Sequence, residues 1–313
     1  MSKDFQYAAG QRVAITVSQD KQIRKMYEGI LENIKREVKT LEGKTNVSSK
    51  IRKDYLKNLS KQIKAEIKKI DAELEEQVKK NMIKVSRSVV KENKEILTKM
   101  GFDLKNSIAF SNVPDDIVRE ITSGKLYKGR WNLSSAIWGN SKKTLKDIDF
   151  IIAKGIAENR NVYDIAKDLE SYVDPAVAKQ WAWSKVYPGT NKKIDYNAQR
   201  MARTMISHSY EESFVRVTKN NPFFESYRWL ISNSDRVCPI CIGRAEDDNY
   251  GLGAGLYPKD ALPLDHPNGM CTFETVRTKS YDEIVDDLVN WANGTGSKKL
   301  NDSISSFAEE LMK

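Results

Sequence analysis

Residues 51–100 read IRKDYLKNLSKQIKAEIKKIDAELEEQVKKNMIKVSRSVVKENKEILTKM, and this stretch decides the fold class. Its apolar residues Leu56, Leu59, Ile63, Ile67, Ile70, Leu74, Val78, Met82, Val85 and Val89 recur at intervals of three and four. The mean period of about 3.67 residues per turn lies close to the natural helical value and implies one nearly straight helix. At about 1.5 Å per residue such a helix runs for roughly 75 Å. A single apolar stripe of that length must pack on something. Ile23, Met26, Tyr27, Ile30, Ile34, Val38 and Leu41 mark a preceding helix over residues 21–41 that covers part of it. The remainder is expected to meet a partner or a second copy of the chain, with packing onto the C-terminal body as the alternative.

Outward from this pair, residues 1–20 lack periodicity and read as a flexible or partner-bound arm. Gly43 ends the first helix, and Asn46 to Ser49 offer a turn with capping side chains. Beyond Gly101, Pro114 opens a helix that runs to Ser123 and stops at Gly124. Residues 125–140 look irregular and aromatic, with Tyr127, Trp131 and Trp138. Ser141 is placed to cap a helix bearing Leu145, Ile148, Ile151, Ile152 and Ile156, and a second helix starts near Val162. Residues 174–194, with Pro175, Pro188 and Gly189 around Trp181 and Trp183, form the expected internal hinge. Asp195 caps a helix of some two dozen residues. Tyr281 to Trp291 is an amphipathic helix, and Ile304, Phe307 and Leu311 mark a short terminal one.

The expected fold is therefore mainly α: a long N-terminal helical arm, then a helical body with a small α+β, zinc-clipped C-terminal region. The expected segments are 1–20 (flexible arm), 21–100 (basic, coiled-coil-like arm), 101–194 (helical body with linker), 195–276 (helix, strand and metal-binding region) and 277–313 (C-terminal helices).

Charge is distributed unevenly. The chain carries a formal +9, yet residues 1–100 alone hold 24 Lys and Arg against 14 Asp and Glu. The basic surplus thus belongs to the N-terminal third, a field that favours DNA or an acidic protein surface. Solvated lysine-rich helices account for the same count. No apolar run approaches the ~18 residues needed to span a bilayer. Met1 to Gln22 lack a basic region followed by an apolar core, so no signal peptide is expected and synthesis in a reducing cytoplasm is implied.

All three cysteines and one of the two histidines fall between Trp229 and Val276. Cys238 and Cys241 form C-x2-C, and His266 and Cys271 form H-x4-C. A two-residue gap lets a tight turn aim two thiolates at one tetrahedral ion, and a second pair closes the shell from across a loop. Four protein ligands leave no position for water, which points to a structural zinc clip rather than a catalytic ion. A redox-active C-x2-C is the competing reading. The intervening residues, with Gly243, Gly251, Gly253, Gly255, Pro258, Pro263 and the Asp247-Asp248-Asn249 cluster, read as a loop that needs an ion to order it. Tyr227, Trp229 and Ile231 alternate as a short strand leading into it.

The order Trp229, Asp235, Arg236-Val237-Cys238-Pro239-Ile240-Cys241, then Leu264-Asp265-His266-Pro267-Asn268 and Cys271, resembles the tailed-phage head morphogenesis family, the Mu F-like minor head proteins. That family typically shows W, D-x-x-x-C-x-x-C and H-P-N-C-R-C. Here Gly269 and Met270 stand at the first Cys and the Arg of the last motif, which leaves Cys271 as the candidate fourth ligand. Further similarity lies in Gly124-x-x-Tyr127, Arg130-Trp131-Asn132-Leu133-Ser134, Asp164-Ile165-Ala166-x-x-Leu169 and Ala202-Arg203-Thr204, with Met205 where glutamate is usual. The resemblance covers residues 124–276. It implies a non-enzymatic minor capsid protein that binds the portal, scaffold or capsid proteins during assembly in the host cytoplasm and stays inside the virion near the portal. It also implies a share in genome packaging or delivery, and the charge of the N-terminal third, with no groove-reading module in the sequence, adds the expectation of non-specific DNA contact through the basic arm.

Enzymatic readings meet the spacing less well. A nucleobase deaminase needs H-x-E and P-C-x-x-C, whereas His208 to Glu211 is H-x-x-E and Val237 precedes Cys238. HEXXH, Walker A, G-x-G-x-x-G and G-x-S-x-G sequences are absent. The strongest rival is a treble-clef or HNH-like nuclease built on Asp265-His266-Pro267. It would need His266 as base and so remove it from the zinc. His208 reads as an ordinary mid-helix histidine.

Overall fold

The computed structural model describes residues 4–41, 49–105, 107–129, 132–158, 160–173, 195–232, 237–277 and 279–312. Among these, helix dominates and one small sheet is present, the architecture expected from the sequence. The helices are α1 (Gln6–Leu41), α2 (Ser49–Lys99), α3 (Val113–Ser123), α4 (Leu133–Ala157), α5 (Val162–Val173), α6 (Tyr196–Thr218), α7 (Pro239–Glu246), α8 (Tyr281–Ala292) and α9 (Lys298–Met312), with a 3-10 turn at Lys125–Tyr127. Strands β1 (Ser226–Leu230), β2 (Leu256–Pro258) and β3 (Thr272–Val276) form an antiparallel sheet in the order β2-β1-β3. No helix among the described residues is long and apolar enough to cross a membrane.

All ten stripe residues of α2 are buried by the chain itself. The expectation that part of this stripe waits for a second copy is therefore corrected. The N-terminal arm is corrected as well, because residues 6–20 form the first turns of α1. Phe5, Ala8, Arg12, Thr16, Gln19 and Ile23 lie at helical spacing and are all buried. Three of the six are polar, so the buried face is invisible to hydropathy. Glu92 of α2 covers the start of α1, accepting from the N–H groups of Tyr7 (3.2 Å) and Ala8 (2.7 Å). A carboxylate there satisfies free amides and complements the positive end of the helix.

The chain divides into two compact units that interleave along the sequence, in place of the successive blocks expected. The first comprises Met1–Thr16, Lys79–Ile121 and Arg203–Lys313; the second comprises Val17–Val78 and Thr122–Ala202. In the second unit, α2 is tied to α1 by Tyr55 Oη donating to Glu37 (2.7 Å) and to α4 by Lys64 pairing with Asp149 (2.7 Å). Helix α4 starts at Leu133, earlier than Ser141. Asn132 accepts from the Ser135 N–H (2.8 Å) and the Ser135 hydroxyl accepts from the Asn132 N–H (3.0 Å), a reciprocal capping box. Ser141 instead lies inside the helix and donates to Asp71. Gly155 lets α4 approach α5, since a Cβ there would lie 2.4 Å from Ile165. The hinge at 174–194, the turn at 42–48, and Arg130, Trp131, Asp235 and Arg236 fall outside the described residues, as do the side chains of Val38, Leu41 and Trp138.

The core of the first unit is aromatic. Phe214 of α6 meets Phe5 (ring centroids 4.8 Å apart), Tyr227 (5.2 Å) and Phe273 (5.8 Å). Trp229 and Phe273, directly opposite each other on β1 and β3, stand 5.1 Å apart. Such pairs contribute about 0.5–1.5 kcal/mol each beyond their buried area. Their placement holds the sheet against α6, and α6 in turn supports the loop that carries His266.

Candidate metal centre

The cysteine pair sits at the start of a helix. Cys238 is the N-cap of α7, its Sγ accepting from the Cys241 N–H at 3.4 Å, and Pro239 fits the first helical position. The segment read from sequence as a loop therefore contains α7 and β2. Gly255 permits that packing: its φ is +69°, and a Cβ there would meet the Ala245 carbonyl oxygen at 2.6 Å. Arg244 lies over the Trp229 ring at 4.7 Å and donates to the Leu264 carbonyl at 3.1 Å, which links α7 to the second ligand loop.

Within the centre, His266 Nε2 lies 3.0 Å from Cys238 Sγ and 3.2 Å from Cys241 Sγ. The other ring nitrogen, Nδ1, is 3.1 Å from the Pro267 carbonyl. An Nδ1–H donating there leaves the Nε2 lone pair facing both sulfurs, the tautomer a metal-binding histidine needs. These three donors lie within 4.8 Å of one another. Cys271 falls outside that trio. It joins Cys241 and Asp265 in a second, fully buried group, so Cys241 is common to both. The five residues together form a group able to hold a metal ion.

Asp265, which the spacing argument did not select, organises this group. Its Oδ1 accepts from the His266 N–H (2.8 Å) and its Oδ2 from the Cys271 N–H (3.1 Å). One carboxylate thereby positions both members of the second pair. Gly269 is required beside it, because a Cβ at that position would lie 2.0 Å from Asp265 Oδ2.

One face of α6 braces the same loop. Asp265 N–H donates to Glu211 (2.9 Å), and His208 Nε2–H donates to the Asp265 carbonyl (3.0 Å). The Ser207 hydroxyl donates to the Gly269 carbonyl (3.0 Å). Asn268 N–H donates to Thr204 Oγ1 (2.9 Å), and Arg203 donates to Asn268 Oδ1 (3.2 Å). These residues recur at three- and four-residue spacing, but nothing in a run of polar helix residues announces a brace. From α1, the buried Arg12 guanidinium donates to the carbonyls of Cys271 (2.7 Å) and Met270 (2.8 Å) and lies 4.8 Å over Tyr210.

Burial sets the protonation of the groups around the centre. Burial raises the Cys241 thiol well above its ordinary value, reinforced by the thiols of Cys271 and Cys238 and by the Asp265 carboxylate. Burial opposes ionisation of Cys238 too, yet hydrogen bonds from Cys241 and the nearby His266 hold it below its ordinary value. Burial pushes Glu211 up to about 8, partly offset by its bond from Asp265 N–H, and lowers His208. Burial is the leading cause of the raised Cys241 and Glu211 values, so both groups favour their protonated forms, and a metal ion binding at Cys241 would displace the thiol proton.

The chain matches no family model, no curated protein and no solved structure.

Proposed function

We propose that the chain is a structural minor head protein of the tailed-phage head morphogenesis kind, clipped by a zinc ion on Cys238, Cys241, His266 and Cys271. One observation carries the reading. Two separately resembling motifs, Ala202-Arg203-Thr204 and His266-Pro267-Asn268, meet through Asn268, which bonds both Thr204 and Arg203. Motifs that share a structural purpose are expected to touch.

Imidazole and thiolate donors suit zinc. A tetrahedral ion with bonds of about 2.3 Å to sulfur and 2.0–2.1 Å to nitrogen separates S and N by about 3.6 Å. The two S···N distances of 3.0 and 3.2 Å allow this with a small expansion. Asp265 is engaged with two backbone amides, which favours Cys271 as fourth donor; its thiol, grouped with Cys241 but outside the Cys238-Cys241-His266 trio, would have to move inward to close the shell. With its shell closed by protein, zinc supplies a cross-link and no activated water. The nuclease reading needs the His266 imidazole free, whereas its Nε2 faces two thiols. In this reading the protein works without catalysis, against portal, scaffold or capsid proteins, and its basic N-terminal third meets DNA phosphates or acidic protein.

The test is elemental analysis of the purified chain, melting with and without chelator, and co-purification with a portal protein. About one zinc per chain, a large drop in melting temperature on chelation, and retention on the portal support the proposal. No metal and an unchanged melt overturn the clip. Metal without portal association overturns the assembly role, and DNA cleavage lost on Cys271→Ser with an intact fold favours the nuclease.

A further inference from the structure

A second feature of the first unit lies among α8, α9 and the turn that follows α2. A groove of about 620 Å³ opens there, walled mainly by Phe102, Leu104, Leu288 and Trp291 and floored in part by Leu311. Val285, Val289 and Met312 stand on its rim, 38%, 52% and 77% exposed. Valine and methionine gathered at the mouth of an apolar groove form the kind of contiguous patch that marks an interaction surface. Gly101 helps shape the wall: its φ is +101°, and a Cβ would lie 3.4 Å from Leu288.

The segment that supplies α8 and α9 is acidic, against the charge of the chain as a whole. Residues 281–312 carry seven Asp and Glu and two Lys, within a chain whose formal charge is +9. Asp103 lies in the lining, exposed, with Oδ1 accepting from the Lys105 N–H at 3.1 Å. Helices α8 and α9 end at Ala292 and Met312, both in the lining, and bring the negative ends of their dipoles to the groove. An apolar trough under a negative field selects an occupant with an apolar stripe and basic flanks.

We propose that this groove docks a basic amphipathic helix of another protein. Apolar side chains at three- and four-residue spacing enter the trough, in the helix-in-groove manner. Lys or Arg beside them meets Asp103 and the helix ends. The site is separate from the metal centre, and the proposal does not depend on the nature of the ion.

The probe is a synthetic Leu/Lys peptide with helical apolar spacing, titrated calorimetrically into the full chain at low and high salt, with a Leu/Glu peptide of the same pattern beside it. Binding of the Leu/Lys peptide is expected to weaken about tenfold on Val289→Lys, an exposed position whose change leaves the melt unaltered. Asp103→Asn, which keeps the acceptor for Lys105, weakens it several-fold, as does added salt. Absent binding, or binding unchanged by Val289→Lys, overturns the proposal. Equal binding of the Leu/Glu peptide overturns the charge selection. A dimer of the chain that Val289→Lys dissociates assigns the groove to a second copy and overturns it as well.

Discussion

Replacing Arg12 by methionine tests whether the first helix holds the metal loop. Methionine keeps much of the apolar stem, so the change mainly removes the guanidinium. Two bonds are lost, at 2.7 Å to the Cys271 carbonyl and 2.8 Å to the Met270 carbonyl. Hydrogen bonds involving a charged group are worth about 1.5–3 kcal/mol each. The contact over Tyr210, at 4.8 Å, adds about 1–2 kcal/mol in a desolvated setting. Against that gross figure stands the relief of the guanidinium's own desolvation, leaving a net loss of about 3 kcal/mol. Hydrogen exchange read by mass spectrometry over residues 265–276 reports this locally. At about 1.4 kcal/mol per decade, exchange there accelerates roughly 100-fold. Arg12→Lys restores little, because an ammonium cannot reproduce the planar fork that spans two carbonyls. Protection of this segment within about threefold of the parent, or full rescue by lysine, would refute the reasoning.

Gly269→Ala drives a methyl against Asp265 and displaces its carboxylate from the His266 and Cys271 amides. The loss is about 3–5 kcal/mol, and a chelator-competition titration should show metal affinity falling with it; an unchanged affinity and melt would mean that Asp265 has no organising role. Glu211, raised from 4.5 to about 8 by burial, binds its proton more tightly folded than unfolded. Its contribution is fully present below about pH 4.5 and is lost as pH climbs through about 8, with a ceiling on the order of 5 kcal/mol at about 1.4 kcal/mol per pH unit. Glu211→Gln keeps an acceptor for the Asp265 N–H, so the variant's stability advantage in urea denaturation should widen from pH 5 to pH 8; a constant difference contradicts the assignment.

What could be read from sequence follows the chemistry of each buried face. The α2 stripe was legible because its residues are apolar throughout. The start of α1 was not, because Arg12, Thr16 and Gln19 occupy the same kind of face with polar groups. Cys238, Cys241, His266 and Cys271 stood out through rare residue types at ligand spacing, and the fold gathers them around Cys241. Asp265 stands out in the sequence only as a member of the resembling stretch and of a nuclease-like triplet, since its organising role depends on the space left by Gly269. The start of helix α4 was hidden because residues 125–140 look irregular and aromatic and Ser141 offers a capping side chain, whereas the Asn132 and Ser135 capping box begins the helix earlier.

The bond from Arg12 to the Cys271 carbonyl joins residues 259 positions apart. During synthesis at about 5–20 residues per second, the guanidinium waits roughly 13–52 s for its acceptor to be made. Phe5 and Ala8 belong to the same interior, but that interior also holds Val85 and Val89 of α2, which are made much earlier. Glu92 of α2, which accepts from the Tyr7 and Ala8 amides, is made only 85 and 84 positions after them, so the start of α1 meets α2 long before the guanidinium meets its carbonyls. Arg12 thus closes the first unit only after residues 270 and 271 have been made, which puts the fastening of the metal loop among the last events of folding.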